Sequence, residues 1–272
     1  MSQGSSDRRP LVFAHRGGCA IGPENTLAAF DLGLAAGADG LECDVHLSAD
    51  GVPVVCHDAT LDRTTDATGP VAARTAAALA GVDAGWAFAA GDGRHPFRGL
   101  GIGVPTLRQV LERYRDSQII VEMKTDDPEL GRRVAADVRA TGAADRVCAA
   151  GEWPDSLRAA RQALPEMMSS ACRPEVRMAV YRSWVGWPVR RPAYSRYQVP
   201  ELAGDTRIVS PRFVRHAHRA GLTVEVWTVD EADDMARLLS WGVDGLITNR
   251  PGVGVEVRNA FCAGRRQVPA GR

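Results

Sequence analysis

Four short stretches of the chain carry acids, bases and cations at spacings that could do chemistry: His15-Arg16, Glu42-Cys43-Asp44, His57-Asp58 and Glu122-Met123-Lys124. Each lies in, or at the end of, a run of apolar and β-branched residues. In a strand, residues i and i+2 share a face, so Glu42 and Asp44 point one way with Cys43 opposite, and Glu122 and Lys124 share a face with Met123 behind. Three carboxylates gathered out of water repel one another and are partly protonated unless a cation joins them. The all-oxygen set Glu42, Asp44 and Glu122 favours one divalent cation, Mg²⁺ or Ca²⁺, over zinc. Two histidines at strand ends beside that cation, His15 and His57, suit acid–base work near neutral pH. Arg16 presents a planar fork that matches phosphate, its ordinary alternative being an ion pair with Glu24. Together these groups point to phosphoryl transfer. Singly, an E-x-D is more often a solvated strand face and a strand-end histidine a cap; the conjunction on four successive predicted strands makes those readings the minority.

Lys124 is the one lysine among 33 basic residues. The arginine-heavy, Ala- and Gly-rich composition reflects nucleotide bias, so this lysine is either a remnant or a position where a compact ammonium cannot be replaced.

The elements that must hold these residues alternate β-branched runs with Ala-, Leu- and Arg-rich helical stretches. Strands are predicted at Leu11–His15, Gly40–Leu47, Val52–His57, Gln118–Lys124, Arg146–Ala150, Met167–Ala171, Thr223–Val229 and Asp244–Thr248, leaving aside short runs at Tyr194–Val199 and Arg207–Ser210. Helices are predicted at Leu27–Ala36, Thr106–Arg115, Pro128–Ala140, Ser156–Ala163, Pro211–Ala220 and Glu231–Ser240. Eight such units in about 250 residues predict an α/β fold of the TIM (β/α)8 type, whose working residues sit at the C-terminal strand ends. A doubly wound sheet fits less well, because Gly17-Gly18 lacks the G-x-G-x-x-G spacing. An insertion, Thr60–Gly103, follows the third predicted strand. A long aromatic and arginine-rich segment, Arg173–Asp205, holds Trp184, Trp187, Tyr194 and Tyr197. It reads first as a loop folded over the barrel with the tryptophans as its small core, and second as a lip for a phospholipid surface or acyl chain. Residues 1–10 and 262–272 are expected to be flexible, with 11–261 a single domain.

Net formal charge is zero over 272 residues, of which 45% are hydrophobic, giving no field to gather nucleic acid. No run reaches the ~20 apolar residues of a transmembrane segment. Met1–Pro10 lacks the apolar centre of a signal peptide. Six cysteines without C-x-x-C pairs read as reduced core residues, so the expected location is cytoplasmic. Oligomeric state is left open, and His46, His95, His216 and His218 receive no role.

The ordered set His15-Arg-Gly-Gly-Cys-Ala-Ile-Gly-Pro-Glu-Asn-Thr26, Gly37-Ala-Asp-Gly-Leu-Glu-Cys-Asp-Val45, Asp50-Gly51, Val54-Val-Cys-His-Asp58, Leu61-Asp-Arg-Thr-Thr65, Pro105-Thr-Leu107, Glu122-Met-Lys124, Val226-Trp-Thr-Val-Asp230 and Gly242-Val-Asp-Gly-Leu-Ile-Thr-Asn-Arg-Pro251 resembles the glycerophosphodiester phosphodiesterases across nearly the whole chain. The resemblance implies a metal-dependent TIM barrel that hydrolyses glycerophosphodiesters to an alcohol and glycerol 3-phosphate. It implies His15 and His57 as the acid–base pair, Glu42, Asp44 and Glu122 as metal ligands, Arg16 as a phosphate binder and Lys124 beside metal and phosphate. Trp227 is either a pocket wall or ordinary barrel packing. The mechanism usually proposed for the family has the substrate's own glycerol hydroxyl attack phosphorus, with water then opening a cyclic phosphate.

Departures fall in the second half: Ala150-Gly-Glu-Trp-Pro154 where relatives often have Ser-Phe, Asn249 for a common acid, and Asp230 for a common Asn. They bear on the leaving group more than on the reaction. Two alternatives stand beside the leading one: lysophospholipase D-type cleavage of lysophospholipids at the same site, and a barrel that binds phosphodiesters without turnover.

Overall fold

The computed structural model describes residues 9–267. The rest of the two terminal segments expected to be flexible, 1–8 and 268–272, lies outside the described residues. In chain order the elements are β1 (Leu11–Ala14), α1 (Leu27–Ala35), β2 (Gly40–Leu47), β3 (Pro53–Val55), α2 (Ala76–Leu79), α3 (Leu107–Arg113), β4 (Gln118–Met123), α4 (Pro128–Ala140), β5 (Val147–Ala150), α5 (Pro154–Ala163) and β6 (Met168–Ser169). There follow α6 (Arg173–Val185), β7 (Arg196–Pro200), β8 (Leu202–Ala203), β9 (Thr206–Arg207), α7 (Pro211–Arg219), β10 (Thr223–Trp227), α8 (Ala232–Ser240), β11 (Gly245–Thr248) and α9 (Pro251–Gln267).

Eight parallel strands run in the order β6-β5-β4-β2-β1-β11-β10-β7, and a parallel bridge from Ser170 to Arg196 joins the two ends. The sheet is thus a nearly closed barrel with helices between its strands, the TIM architecture the sequence predicts. Two apolar layers seal it against the helices, one around Leu41, Val121 and Leu130 and the other around Tyr197, Val224 and Leu238. A smaller cluster of Phe13, Ile120, Ala150 and Ile247, with Trp227 against it, collects residues from strands spread around the ring.

The membership of the ring differs from expectation at one place. The third predicted strand is β3, which pairs antiparallel with β2 in the register Val45↔Val55 and Leu47↔Pro53 and stands outside the ring. Its place is taken by β7, parallel to β10 with Val224↔Tyr197 and Val226↔Val199. Polar residues alternate along β7, which hides its strand signal in a parallel fold whose strands usually read as apolar throughout. Arg196 is satisfied by an ion pair to the buried Glu225, and Gln198 Nε2 donates to the same carboxylate at 2.7 Å. The insertion therefore follows a hairpin rather than a barrel strand. It packs around its own cluster of Leu61, Val71, Leu79 and Val104, closed by Val54 of β3.

Two further differences concern the second half. Arg173–Val185 is helical, and the tryptophans are not the core of its segment. Tyr197 is fully buried against Tyr194 and Phe213, with ring centroids 5.3 and 5.1 Å away, whereas Trp184 and Trp187 are 51% and 66% exposed. At the other end, α9 continues to Gln267, past the expected domain end at 261.

The close approach of α4 and α5 tests this packing. A Cβ built on Gly131 of α4 would lie 2.1 Å from the backbone oxygen of Ser156 in α5. Gly131→Ala should force the two helices apart and destabilise the fold by about 1–3 kcal/mol, the usual cost of overpacking, read as a lower midpoint in urea unfolding.

Candidate active site

The ladder between β2 and β4 sets Asp44 beside Glu122, with Glu42 one inward position earlier on β2, opposite Ile120. Ligand atoms of Glu42, Asp44 and Glu122 all lie within 4.8 Å of one another. Glu42 and Asp44 are 3% and 0% exposed. Each has one oxygen held: Glu42 Oε2 accepts the Arg16 backbone N–H at 2.8 Å, and Asp44 Oδ2 accepts from Asn25 Nδ2 at 2.8 Å. The other oxygens, Glu42 Oε1 and Asp44 Oδ1, are buried without a hydrogen bond. A buried acceptor left unmade costs on the order of 1–3 kcal/mol, more when charged, so two of them side by side describe a seat for a cation. An all-carboxylate donor set at this spacing fits a hard divalent ion.

The loop after β1 is bent to make this seat. Arg16 adopts a left-handed backbone with φ 51, as does Asn25 with φ 60, and the Asn25 N–H donates to the Arg16 oxygen at 2.9 Å. Positive φ is uncommon for residues with a Cβ and is retained where surrounding contacts over-determine it. The turn is completed by Gly17, also at positive φ, where a Cβ would strike Ala29 and Phe30 at 2.8 Å.

Charge is unevenly shared in the cluster. Burial, then the neighbouring Asp44 and Glu122 charges, push Glu42 well above the usual carboxylate range. Burial and Asp44 also raise Glu122, though Lys124 works against them. Burial would raise Asp44 too, but Lys124 and Arg16 hold it below the usual range. Lys124 Nζ sits 3.1 Å from Glu122 Oε1 and 3.4 Å from Asp44 Oδ1, and these carboxylates raise its proton affinity in spite of its own burial. Arg16 reaches both Asp44 Oδ2 at 3.2 Å and Glu24 Oε1 at 3.1 Å, so the ion pair weighed for it exists alongside its place in the cluster.

Both histidines have one ring nitrogen committed. His57, just beyond β3, shares its Nδ1 with Asp58 Oδ1 at 2.6 Å, and its carbonyl lies 3.0 Å from Nε2 of His46. Arg63 bridges from Asp58 to Glu24, at 2.6 and 2.7 Å, and its hydrogen bond draws Asp58 down to about 2. His15 Nδ1 lies 2.6 Å from Asn249 Oδ1, and its Nε2 lies 3.9 Å from Glu42 Oε2. Burial lowers the proton affinity of His15, with Asn249 opposing and Arg16 assisting. The orientation of Asn249 is fixed from behind: its Nδ2 donates to Asp230 Oδ2 at 2.7 Å and its backbone N–H to Asp230 Oδ1 at 2.8 Å. A carboxylate only accepts, so the amide must turn its oxygen to His15, and neutral His15 must carry its proton on Nδ1.

The sequence-predicted residues Arg16, Glu42, Asp44, Glu122 and Lys124 are in direct contact or within one cluster, His15 borders it, and a charge on His57 is felt at Asp44. Trp227 rests on the apolar cluster around Phe13 and Ile120. Of the supporting groups, Asn25 and Arg63 received no role from the sequence, and Asp230 and Asn249 were read as bearing on the leaving group rather than on His15. They lie in loops, where no periodicity marks them, and only their places in the resembling stretches set them apart.

Comparison with known proteins agrees with this architecture. Residues 15–253 match the Glycerophosphoryl diester phosphodiesterase family. The chain is 31% identical over 248 residues to the glycerophosphodiester phosphodiesterase of Caldanaerobacter subterraneus subsp. tengcongensis, covering 89% of this chain and 95% of that one. The glycerophosphodiester phosphodiesterase of Agrobacterium tumefaciens superposes with a TM-score of 0.73 at 28% identity, over 91% of this chain and 99% of the other. A phosphodiesterase of Oleispira antarctica, solved with the product sn-glycerol-3-phosphate, shares the fold with a TM-score of 0.72 at 22% identity, over 94% and 100% of the two chains. The chain belongs to the glycerophosphoryl diester phosphodiesterase family. It is accordingly a phosphoric diester hydrolase.

The clamp on His15 is open to direct measurement. In ¹⁵N spectra above its titration, His15 should show the Nδ1–H tautomer alone. Asn249→Leu, which removes the acceptor, should give a mixture of tautomers, and an unchanged spectrum would show that Asn249 does not select the proton's position.

Proposed function

We propose that the protein hydrolyses glycerophosphodiesters to an alcohol and glycerol 3-phosphate with one divalent cation, Mg²⁺ or Ca²⁺, held by Glu42, Asp44 and Glu122. The observation that carries this reading is the trio of carboxylates within 4.8 Å, two of whose buried oxygens have no hydrogen bond. When bound, the ion would neutralise the cluster and polarise a phosphoryl oxygen. Arg16 and Lys124 supply fixed positive charge to the remaining phosphate oxygens as negative charge builds on them, ordinarily the largest catalytic contribution.

His15 and His57 act as the acid–base pair. Each has Nδ1 engaged, by Asn249 and Asp58 respectively, so each offers Nε2 for proton exchange. One takes the proton of the substrate's glycerol hydroxyl as its oxygen bonds to phosphorus. The other gives a proton to the alcohol oxygen as its bond to phosphorus breaks. Water then attacks the phosphorus of the resulting cyclic phosphate. The imidazole that gave its proton to the alcohol takes one from the water as the water oxygen bonds to phosphorus. The other returns its proton to the glycerol oxygen as that oxygen's bond to phosphorus breaks, leaving glycerol 3-phosphate. Trp227, backed by Phe13 and Ile120, forms the apolar wall beside the glycerol.

The test is release of glycerol 3-phosphate from glycerophosphocholine with Mg²⁺, with Ca²⁺ and with chelator, beside choline release from lysophosphatidylcholine. Turnover of the first that chelator abolishes is expected; turnover of the lysolipid alone would move the reading to a lysophospholipase D. His57→Ala should lower kcat by ~10²–10⁴-fold with metal affinity in calorimetry nearly unchanged. Asp44→Ala should instead weaken metal binding, and equal affinity in that variant would remove Asp44 from the ligand set.

A further inference from the structure

Ten large hydrophobic side chains are exposed among the described residues, and five of them, Met178, Tyr181, Trp184, Val185 and Trp187, fall on α6 and the turn that ends it. Met178, Tyr181 and Val185 follow the i, i+3, i+7 spacing of one helix face, with Trp184 beside them. The opposite face, Ala179, Val180 and Ser183, is the one buried on the barrel. A surface helix normally turns polar residues outward, so α6 is apolar on the side where water should be. Its outer rings pack on each other, Tyr181 and Trp184 meeting edge to face at 5.4 Å.

The charge around this face is as unusual as its apolarity. No Asp or Glu occurs between Glu175 and Glu201, while Arg177, Arg182, Arg190 and Arg191 do. Many arginines elsewhere are matched with carboxylates, as Arg63 is with Glu24, Arg108 with Asp137, Arg113 with Asp31 and Arg237 with Glu201, and others, such as Arg98, Arg139 and Arg146, bond backbone oxygens. Arg177, Arg182, Arg190 and Arg191 have no carboxylate partner among the described residues. Helix α7 packs against α6 and adds Arg212, Arg215 and Arg219, again with no acid in its sequence; Arg212 donates to the backbone oxygen of Trp184. In a chain of zero net charge, α6 and the turn after it thus carry arginines without carboxylate partners beside a patch of exposed aromatic rings.

We infer that the outer face of α6, through Arg191, is a docking surface for an anionic lipid bilayer. Tyrosine and tryptophan have an apolar body and a polar edge and settle at the boundary between headgroups and acyl chains. The unpaired arginines then lie among lipid phosphates, which provide the carboxylate-like partners the protein withholds. A second copy of the chain is a poorer occupant. A two-fold contact sets the same patch against itself, here arginine against arginine.

The test is co-sedimentation of the full chain with vesicles of phosphatidylcholine alone and of phosphatidylcholine mixed with an equal amount of phosphatidylglycerol. Binding to the mixed vesicles alone, weakened by salt, is expected. Arg190→Gln/Arg191→Gln should lower that affinity about 25-fold, the product of roughly fivefold per arginine that about 1 kcal/mol per surface charge gives. Trp184→Ser/Trp187→Ser should abolish it, with melting temperature and hydrolysis of a water-soluble diester unchanged in both variants. Equal binding to the two vesicle types, or to neither, overturns the inference. So does a concentration-dependent dimer in ultracentrifugation that the tryptophan variant converts to monomer, which would make a second copy the occupant.

Discussion

Three carboxylates within 4.8 Å of one another, two of them almost wholly out of water, cannot all hold charge unless cations stand beside them. Much of the architecture at this end of the barrel answers that constraint. The parallel register of β2 and β4 brings Asp44 level with Glu122, and the left-handed turn after β1 directs the Arg16 N–H at Glu42. Lys124 and the Arg16 side chain offset part of the repulsion, but their ion pairs are with Asp44 and Glu122, and they act on Glu42 only from farther off. Glu42 has a backbone N–H but no arginine or lysine ion pair among the described residues, and burial with the charges of Asp44 and Glu122 leaves it the most strongly raised of the three. The imbalance is what a bound divalent ion would relieve.

Outside the carboxylates, the site is held by a continuous line of charge running Arg16, Glu24, Arg63, Asp58, His57. It ties the loop after β1 to the residues after β3, which belong to different structural units. The barrel contributes the acids and His15, whereas His57 rides on a hairpin whose insertion has its own apolar cluster. Bidentate contact between Arg63 and Glu24 therefore joins the loop after β1 to the segment that carries His57. A lysine there could not grip both oxygens in one plane.

The sequence made the clustered charged groups easier to see than their supports. Glu42, Asp44, Glu122 and Lys124 are visible because strand alternation dictates which residues share a face, and that rule needs no tertiary knowledge. The same rule misassigned β3, since an apolar run reads alike whether its strand joins the ring or only pairs with its edge. It left aside the run that became β7, whose Arg196 and Gln198 make sense only once Glu225 is found across the ladder. Asp230 and Asn249 were noticed as a pair of departures but not as neighbours, because 19 residues and a helix separate two residues joined through the Asn249 backbone N–H and Nδ2 to the two oxygens of the Asp230 carboxylate. The exposed tryptophans show the reverse error: aromatics suggest a core by default, and only the buried stripe of α6 reveals that the rings face the other way.

Lys124 has a consequence for how the protein can be handled. It is the single lysine of the chain and sits between Asp44 and Glu122 with its side chain 19% exposed. An amine-selective acylating reagent meets one ε-amino group, and that group lies inside the cluster. Its carboxylate neighbours keep it as the unreactive ammonium, so the rate of acylation measures the field of the site rather than the area of the surface. A ligand that settles among the same acids alters that rate without any change of fold, which makes one ordinary side chain a built-in reporter of occupancy.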